Sequence, residues 1–199
     1  MSAAGAWPRS PLKRGFDILF TLAFAPLLLS LCALVAVAVR VFLGAPVFFT
    51  QERPGLDGRV FKLVKFRTLE PGGAPDAERM TRFGKFLRAT SLDELPEFWN
   101  ILRGDMSLVG PRPLLVCYLP LYTPEQARRH EVRPGLTGWA QVNGRNLVSW
   151  EDRFKMDVWY VDHAMPWHDL FIIGLTILNL FRRSGISAQG EATMREFKG

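Results

Sequence analysis

The sequence predicts an α+β protein, mostly helical, with an N-terminal re-entrant membrane helix, a small β-hairpin and amphipathic interfacial helices. Three observations predict it. An uncharged run from Ile18 to Val39 contains Pro26 and has cations on both flanks. Two short stretches rich in Val, Phe and Leu are separated by Pro54-Gly55-Leu56-Asp57-Gly58. Further on, apolar and basic residues alternate at helical spacing. The chain therefore divides into residues 1–45, a tail and membrane-inserted helix, and residues 46–199, a cytoplasmic domain at the membrane interface.

At 199 residues the chain can bury one real core and carry an appendage. A net charge of +6 points to anionic partners: nucleic acid, nucleotides or acidic headgroups. Six Trp and fifteen Phe, with mean hydropathy of +0.07, lean toward the membrane surface. Two cysteines make no disulfide scaffold, and a reducing compartment is the simpler assumption. His130, His163 and His168 form no zinc pattern and read as ordinary surface or core residues.

The first residues, with Trp7, Pro8, Arg9 and Pro11, look like an interfacial tail. The apolar run that follows, about 22 residues, makes a helix of about 33 Å, enough to cross a bilayer. Ala36-Val37-Ala38 has the form of a signal-peptidase site, but the run is too long for a signal peptide. A straight anchor meets two objections. Pro26 removes a backbone bond and bends the helix. Arg9, Lys13 and Arg14 precede the run, while Arg40, Arg53, Arg59, Lys62, Lys65 and Arg67 follow it, so a spanning helix exposes one basic flank outside. A helix that bends at Pro26 and returns satisfies both flanks. Thr21 and Ser30 are the nearby side chains to satisfy the freed backbone.

Val47–Glu52 and Arg59–Phe66 read as a hairpin. In the second strand Lys65 and Arg67 point the same way, which suits a phosphate pocket or two solvated edge cations. Pro71–Pro75 is a loop. The segment from Glu78 to Arg88 predicts one basic amphipathic helix, weakened by Gly84.

Ser91–Asn100 then holds two adjacent carboxylates, Asp93 and Glu94. Arg79, Arg82, Lys85 and Arg88 lie upstream, and the stiff turn Gly110-Pro111-Arg112-Pro113 lies downstream. A carboxylate pair among cations suits work on a phosphate, the acids attacking or holding a divalent metal. Ser91 and Glu94 equally spell a capping box for a helix that begins near Leu92 or Asp93 and stops at Gly104. The residues alone leave both readings open. Arg133-Pro134-Gly135-Leu136 repeats Arg53-Pro54-Gly55-Leu56 and reads as a second, similar turn. Gln141, Asn143 and Arg145 sit beside glycine, where backbone can approach a ligand. Glu151–Asp162 predicts a mixed-charge helix; His168–Phe181 predicts a core helix or a second interfacial one.

Taken together, Lys13–Asp17, Phe49–Gly55, Lys65–Thr68, Thr90–Pro96, Gly104–Pro113 and Arg133–Trp139 form an ordered set of motifs. With Ala140–Asn146 and the ending around Arg183 and Thr193, they resemble the bacterial sugar transferase family, in particular its small monotopic, PglC-like phosphoglycosyl transferases. The resemblance covers nearly the whole chain from Lys13. It implies transfer of a phospho-sugar from a UDP-sugar, N-acetylated amino and diamino sugars among the candidates, to polyprenol phosphate, with release of UMP. It also implies Mg²⁺, a re-entrant helix, membrane lipids as partners and no nucleic acid. The location implied is the cytoplasmic face of the bacterial inner membrane.

Mapped onto this chain, the resemblance makes Asp93 the nucleophile and Glu94 its catalytic neighbour, with both as metal ligands. Arg88, Arg112, Arg145 and Lys65 become phosphate clamps, and Asp157 a sugar contact or a support for one. Ala25 precedes Pro26 where family members often have Ser, and Glu97 and Trp99 also vary. The competing reading is a non-catalytic, membrane-anchored binder of acidic lipid or nucleic acid, which has no reason to keep an acid pair amid cations.

Overall fold

The computed structural model describes residues 3–144, 148–182 and 196–199. Helix α1, Pro11–Phe42, starts where Ser10 accepts the Lys13 N–H. It continues as one helical run through Pro26. Thr21 donates to the Asp17 carbonyl and Ser30 to that of Pro26. Neither serves Leu22, whose carbonyl loses its donor to the proline, so the expected compensation is absent.

Most of α1 faces outward: Leu19, Leu22, Leu27, Leu29 and Leu34 are all more than half exposed. Among the described residues it is the one helix long and apolar enough to cross a membrane. Both of its ends nevertheless pack on the same domain. Near the start, Phe16 and Phe20 lie against the main core; near the finish, Val35 and Val39 are buried with Phe66 and Leu87.

The hairpin forms as expected. Strands β1 (Phe48–Pro54) and β2 (Val60–Phe66) pair antiparallel, with Phe48 opposite Phe66. The helix expected from Glu78 to Arg88 is instead two pieces, α2 (Asp76–Arg79) and α3 (Arg82–Ala89). Met80 bridges to Leu69 and Thr81 caps α3 by accepting from Gly84, which breaks the run between them. Gly84 is there for contact: a Cβ would lie 1.9 Å from the Thr68 carbonyl oxygen.

The capping box also fails. Ser91 is left-handed (φ 56°) and its side chain caps nothing. A single 3-10 turn spans Leu92–Glu94, and α4 begins only at Glu97 and runs to Arg103. Gly104 (φ 92°) stops it as expected. Arg14 donates to the Ile101 and Leu102 carbonyls, and Arg133 to that of Gly104, so two cations sit at the helix's negative end.

Strand β3 (Ser107–Val109) precedes α5 (Pro124–Ala127) and then β4 (Gly135–Thr137), which pairs with β3 in parallel. The repeated Arg-Pro-Gly-Leu string thus splits into one turn and one strand. Gly135 is needed for close approach, since a Cβ there would come 2.1 Å from the Gly110 amide. Helices α6 (Trp139–Val142), α7 (Trp150–His163) and α8 (Pro166–Arg182) complete the chain. Helix α8 packs on the core through one face only: Ile172 is fully buried, while Trp167, Leu170 and Phe171 are more than half exposed.

A buried polar network joins α1 to α8. Lys13 reaches Asp17 at 2.8 Å and Asp169 at 2.9 Å. Asp169 also accepts from Trp7 and Tyr160, and Asp17 from the Leu108 amide. Trp7, expected in an interfacial tail, is therefore tied to the domain.

Candidate active site

The acid pair sits on the turn between α3 and α4, and three anchors hold it there. Asn100, fully buried on α4, accepts from the Val64 amide and donates to the Lys62 carbonyl, which docks α4 onto β2. That docking brings Lys65 to the acids. Lys65 Nζ lies 2.7 Å from Glu94 and 3.0 Å from Glu97. From the far side, Arg112 pairs with the same Glu94 oxygen, Oε1.

Arg112 is held by its backbone. The turn carrying it leaves β3, and Arg129 donates to its carbonyl at 2.7 Å. Arg129 is in turn oriented by Asp157, at 2.7 Å and 3.0 Å. Asp157 was expected as a sugar contact or as a support for one. It is 3 % exposed and occupied with Arg129, because a carboxylate at that depth needs a charged partner. It acts through Arg129 on Arg112, as a positioning residue.

The electrostatics separate the carboxylates. Although burial opposes its charge, Glu94 is held far below the usual carboxylate range by Arg112 and Lys65. Burial, and then the negative charge of Glu94, push Asp93 up to about 6. The same two causes push Glu97 up to about 7. Glu94 raises Arg112 further above its already high value. Among the described residues Asp93 makes no hydrogen bond or ion pair, although the positive charges of Lys65, Arg112 and Arg88 act on it.

A cavity of about 540 Å³ opens beside this cluster. Arg88, Glu94, Arg112 and Arg153 stand on its wall, together with apolar side chains of α1 and α8. Asp93 itself is not on that wall; its neighbour Glu94 is.

Of the expected site residues, Asp93, Glu94, Lys65, Arg88 and Arg112 come together. Arg88 donates to Thr68 at 3.0 Å and faces the cavity. Arg145 lies outside the described residues, as does the ending around Arg183 and Thr193. Arg67 does not join Lys65 in a phosphate pocket, because it donates to the Leu43 and Gly44 carbonyls at the end of α1. Arg79 pairs with Asp76, while Arg82 and Lys85 are exposed. Two residues were missed. Arg153 reaches the cavity from α7, and its spacing of four from Asp157 was the available signal. Glu97 shares Lys65 with Glu94, and nothing local marked it.

Comparison with known proteins places this arrangement. The bacterial sugar transferase family profile matches residues 8–183. An uncharacterized sugar transferase, EpsL, of Bacillus subtilis (strain 168) is 49% identical over 94% of this chain and 96% of its own. A UDP-glucose:undecaprenyl-phosphate glucose-1-phosphate transferase of Caulobacter vibrioides is 41% identical, over 84% of this chain and 69% of that protein. A UDP-N-acetylgalactosamine-undecaprenyl-phosphate N-acetylgalactosaminephosphotransferase of Aeromonas hydrophila is 38% identical over 87% of this chain, which spans 44% of that relative. By its motifs, and by a match covering most of its length, the chain belongs to the bacterial sugar transferase family.

Proposed function

We propose that this protein transfers a phospho-sugar from a UDP-sugar to polyprenol phosphate, through an intermediate covalently bound to Asp93. The reading rests on one contrast within the acid pair. Glu94 is paired with two cations, whereas Asp93 has no partner among the described residues and lies in the field of three cations. In the first step an Asp93 oxygen attacks the β-phosphorus of the donor, and UMP leaves with the electrons of the broken P–O bond. In the second, an oxygen of polyprenol phosphate attacks the same phosphorus and the Asp93 carboxylate is released. The acceptor phosphate is already anionic near neutral pH, so neither step needs a strong base. Arg88, Arg112 and Lys65 balance the charge on the phosphates.

The donor set fits Mg²⁺. That ion commonly takes one or two carboxylates and completes its sphere with substrate phosphate and water. Both cations bond Glu94 through Oε1, so its Oε2 and the Asp93 carboxylate remain as ligands. No cluster of three or more protein ligands stands among the described residues, so the diphosphate would supply the rest. When bound, the ion would neutralise charge on the departing UMP.

The re-entrant topology, with the domain on the cytoplasmic face, belongs to the same proposal. Its support is that both ends of α1 pack on one domain while its middle faces outward. The donor sugar is a UDP-hexose, N-acetylated amino and diamino sugars included. Labelled transfer from a panel of UDP-sugars to undecaprenyl phosphate identifies it. With donor alone, the protein should release UMP once per active site and keep the label on the Asp93 peptide, cleavable by hydroxylamine. Steady UMP release only with both substrates, and no labelled protein, would mean direct transfer and sink the covalent step.

A further inference from the structure

Among the described residues two that are not glycine have a positive φ, Asp57 and Ser91. Asp57 lies exposed in the hairpin loop beside Gly58, where an aspartate is tolerated in this conformation. Ser91 (φ 56°, ψ 19°) stands on the half-buried turn that carries the acid pair. A serine can offset such a conformation by bonding nearby backbone. This one does not: its hydroxyl makes no hydrogen bond among the described residues. Glycine would take the same turn without steric cost, as Gly58 and Gly104 do elsewhere in the chain. The hydroxyl is therefore held in a strained place with no task inside the fold. Its surroundings supply one. In a 3-10 turn residues three apart lie over one another, so the turn presents Ser91 and Glu94 on one side. Both line the cavity, as do Arg88 and Arg112.

Resting on the function proposed above, we infer that the Ser91 hydroxyl is a substrate contact, donating to a phosphate oxygen that Arg88 and Arg112 hold. The ligand class follows from the neighbours. Two guanidinium groups attract an anion, and Arg112 is already committed in part to Glu94. The arginines therefore leave acceptor sites on a phosphate unfilled, and a hydroxyl fills one without adding charge. Ser91 neither attacks nor moves a proton in this role. It orients the phosphate beside the nucleophile two residues on, and the left-handed backbone is the strain that keeps it there. The phosphate belongs either to the donor diphosphate or to the acceptor, which share this chemistry.

The test sets stability against activity on the full chain in detergent or nanodiscs. Ser91→Ala keeps the strain and loses the hydroxyl, whereas Ser91→Gly loses both. Ser91→Gly should therefore melt about 2–4 °C above Ser91→Ala. Both should lose activity alike, about ten- to a hundred-fold in kcat/KM, as one bond to a charged group is forfeited. A stabler protein that works worse is the outcome a purely structural serine would not give. The source of the phosphate is read from ligand-induced rises in thermal midpoint. If the contact is to the donor, the rise given by UDP with Mg²⁺ should shrink in both variants. If it is to the acceptor, the rise given by a short prenyl phosphate should shrink instead. Activity lost in Ser91→Gly alone would assign the effect to backbone freedom and overturn the contact. So would Ser91→Ala with wild-type turnover and both rises intact. Wild type that transfers no phospho-sugar would sink the transferase reading, and the two rises would still decide whether Ser91 meets a phosphate.

Discussion

Two clusters in this protein are built from the same parts, a lysine shared by two carboxylates, and they end in opposite states. In the first, Lys13 lies between Asp17 and Asp169, and the side chains of all three are 4 % exposed or less. Trp7, Tyr160 and the Leu108 amide donate to the two acids as well. In the second, Lys65 lies between Glu94 and Glu97, and Arg112 takes the remaining claim on Glu94. There Asp93 has no partner among the described residues, and both Asp93 and Glu97 are pushed up toward neutrality. A saturated cluster holds elements together. An unsaturated one keeps a carboxylate available for reaction, at a cost in stability.

The sharpest break of this comparison is Asp93→Asn. A covalent nucleophile has no substitute, so activity should fall by about a thousand-fold or more while the thermal midpoint stays put. Retained turnover would make Asp93 a structural residue and erase the distinction between the clusters. Next comes the lysine of each cluster. Lys13→Met strands two buried acids and should destabilise by about 3–5 kcal/mol in urea or thermal unfolding. Lys65→Met should cost less, because Arg112 still pairs with Glu94 and Glu97, already pushed up to about 7, can take a proton. Equal destabilisation by the two would mean that the active cluster is as structural as the other.

Arg112→Lys keeps the charge and loses the planar fork. Forfeiting one charge-assisted bond, at roughly 1.5–3 kcal/mol, should lower kcat/KM about ten- to a hundred-fold. Near-normal turnover would leave Arg112 with a structural role alone.

The smallest effect concerns Glu97. Its pKa is raised from 4.5 to about 7, so the folded state binds more protons than the unfolded one in that window. The stability it contributes is full below pH 4.5 and is lost as pH rises through about 7. Glu97→Gln removes that loss. Measured by denaturant at the two ends of the window, the variant should gain on wild type between acid and neutral pH. A difference independent of pH would show that Glu97 does not titrate there.

Much of this was legible from local pattern. The apolar run with Pro26, the hairpin, the stop at Gly104, and the acid pair with Arg88 and Arg112 nearby all depend on spacing along the chain. So does the family. What failed were local readings overridden by contacts from elsewhere. Ser91 and Glu94 spelled a capping box, yet Lys65 and Arg112 claim the glutamate, and Ser91 turns left-handed. Lys65 and Arg67 share a strand face, yet one meets the acids and the other the end of α1.

By itself the sequence determined most element types, the charged groups available and the long apolar segment, because backbone propensity and hydrophobic periodicity act over a few residues. The tertiary structure alone decided which lysine is saturated and which is not. It also decided that Asp157 serves Arg129, that Gly135–Thr137 is a strand, and that α1 and α8 enclose a cavity. Each of these rests on partners distant in the chain, as Lys13 is from Asp169 and Lys65 from Glu94. A charge is fixed by burial and by what it meets, and neither is written in its neighbours.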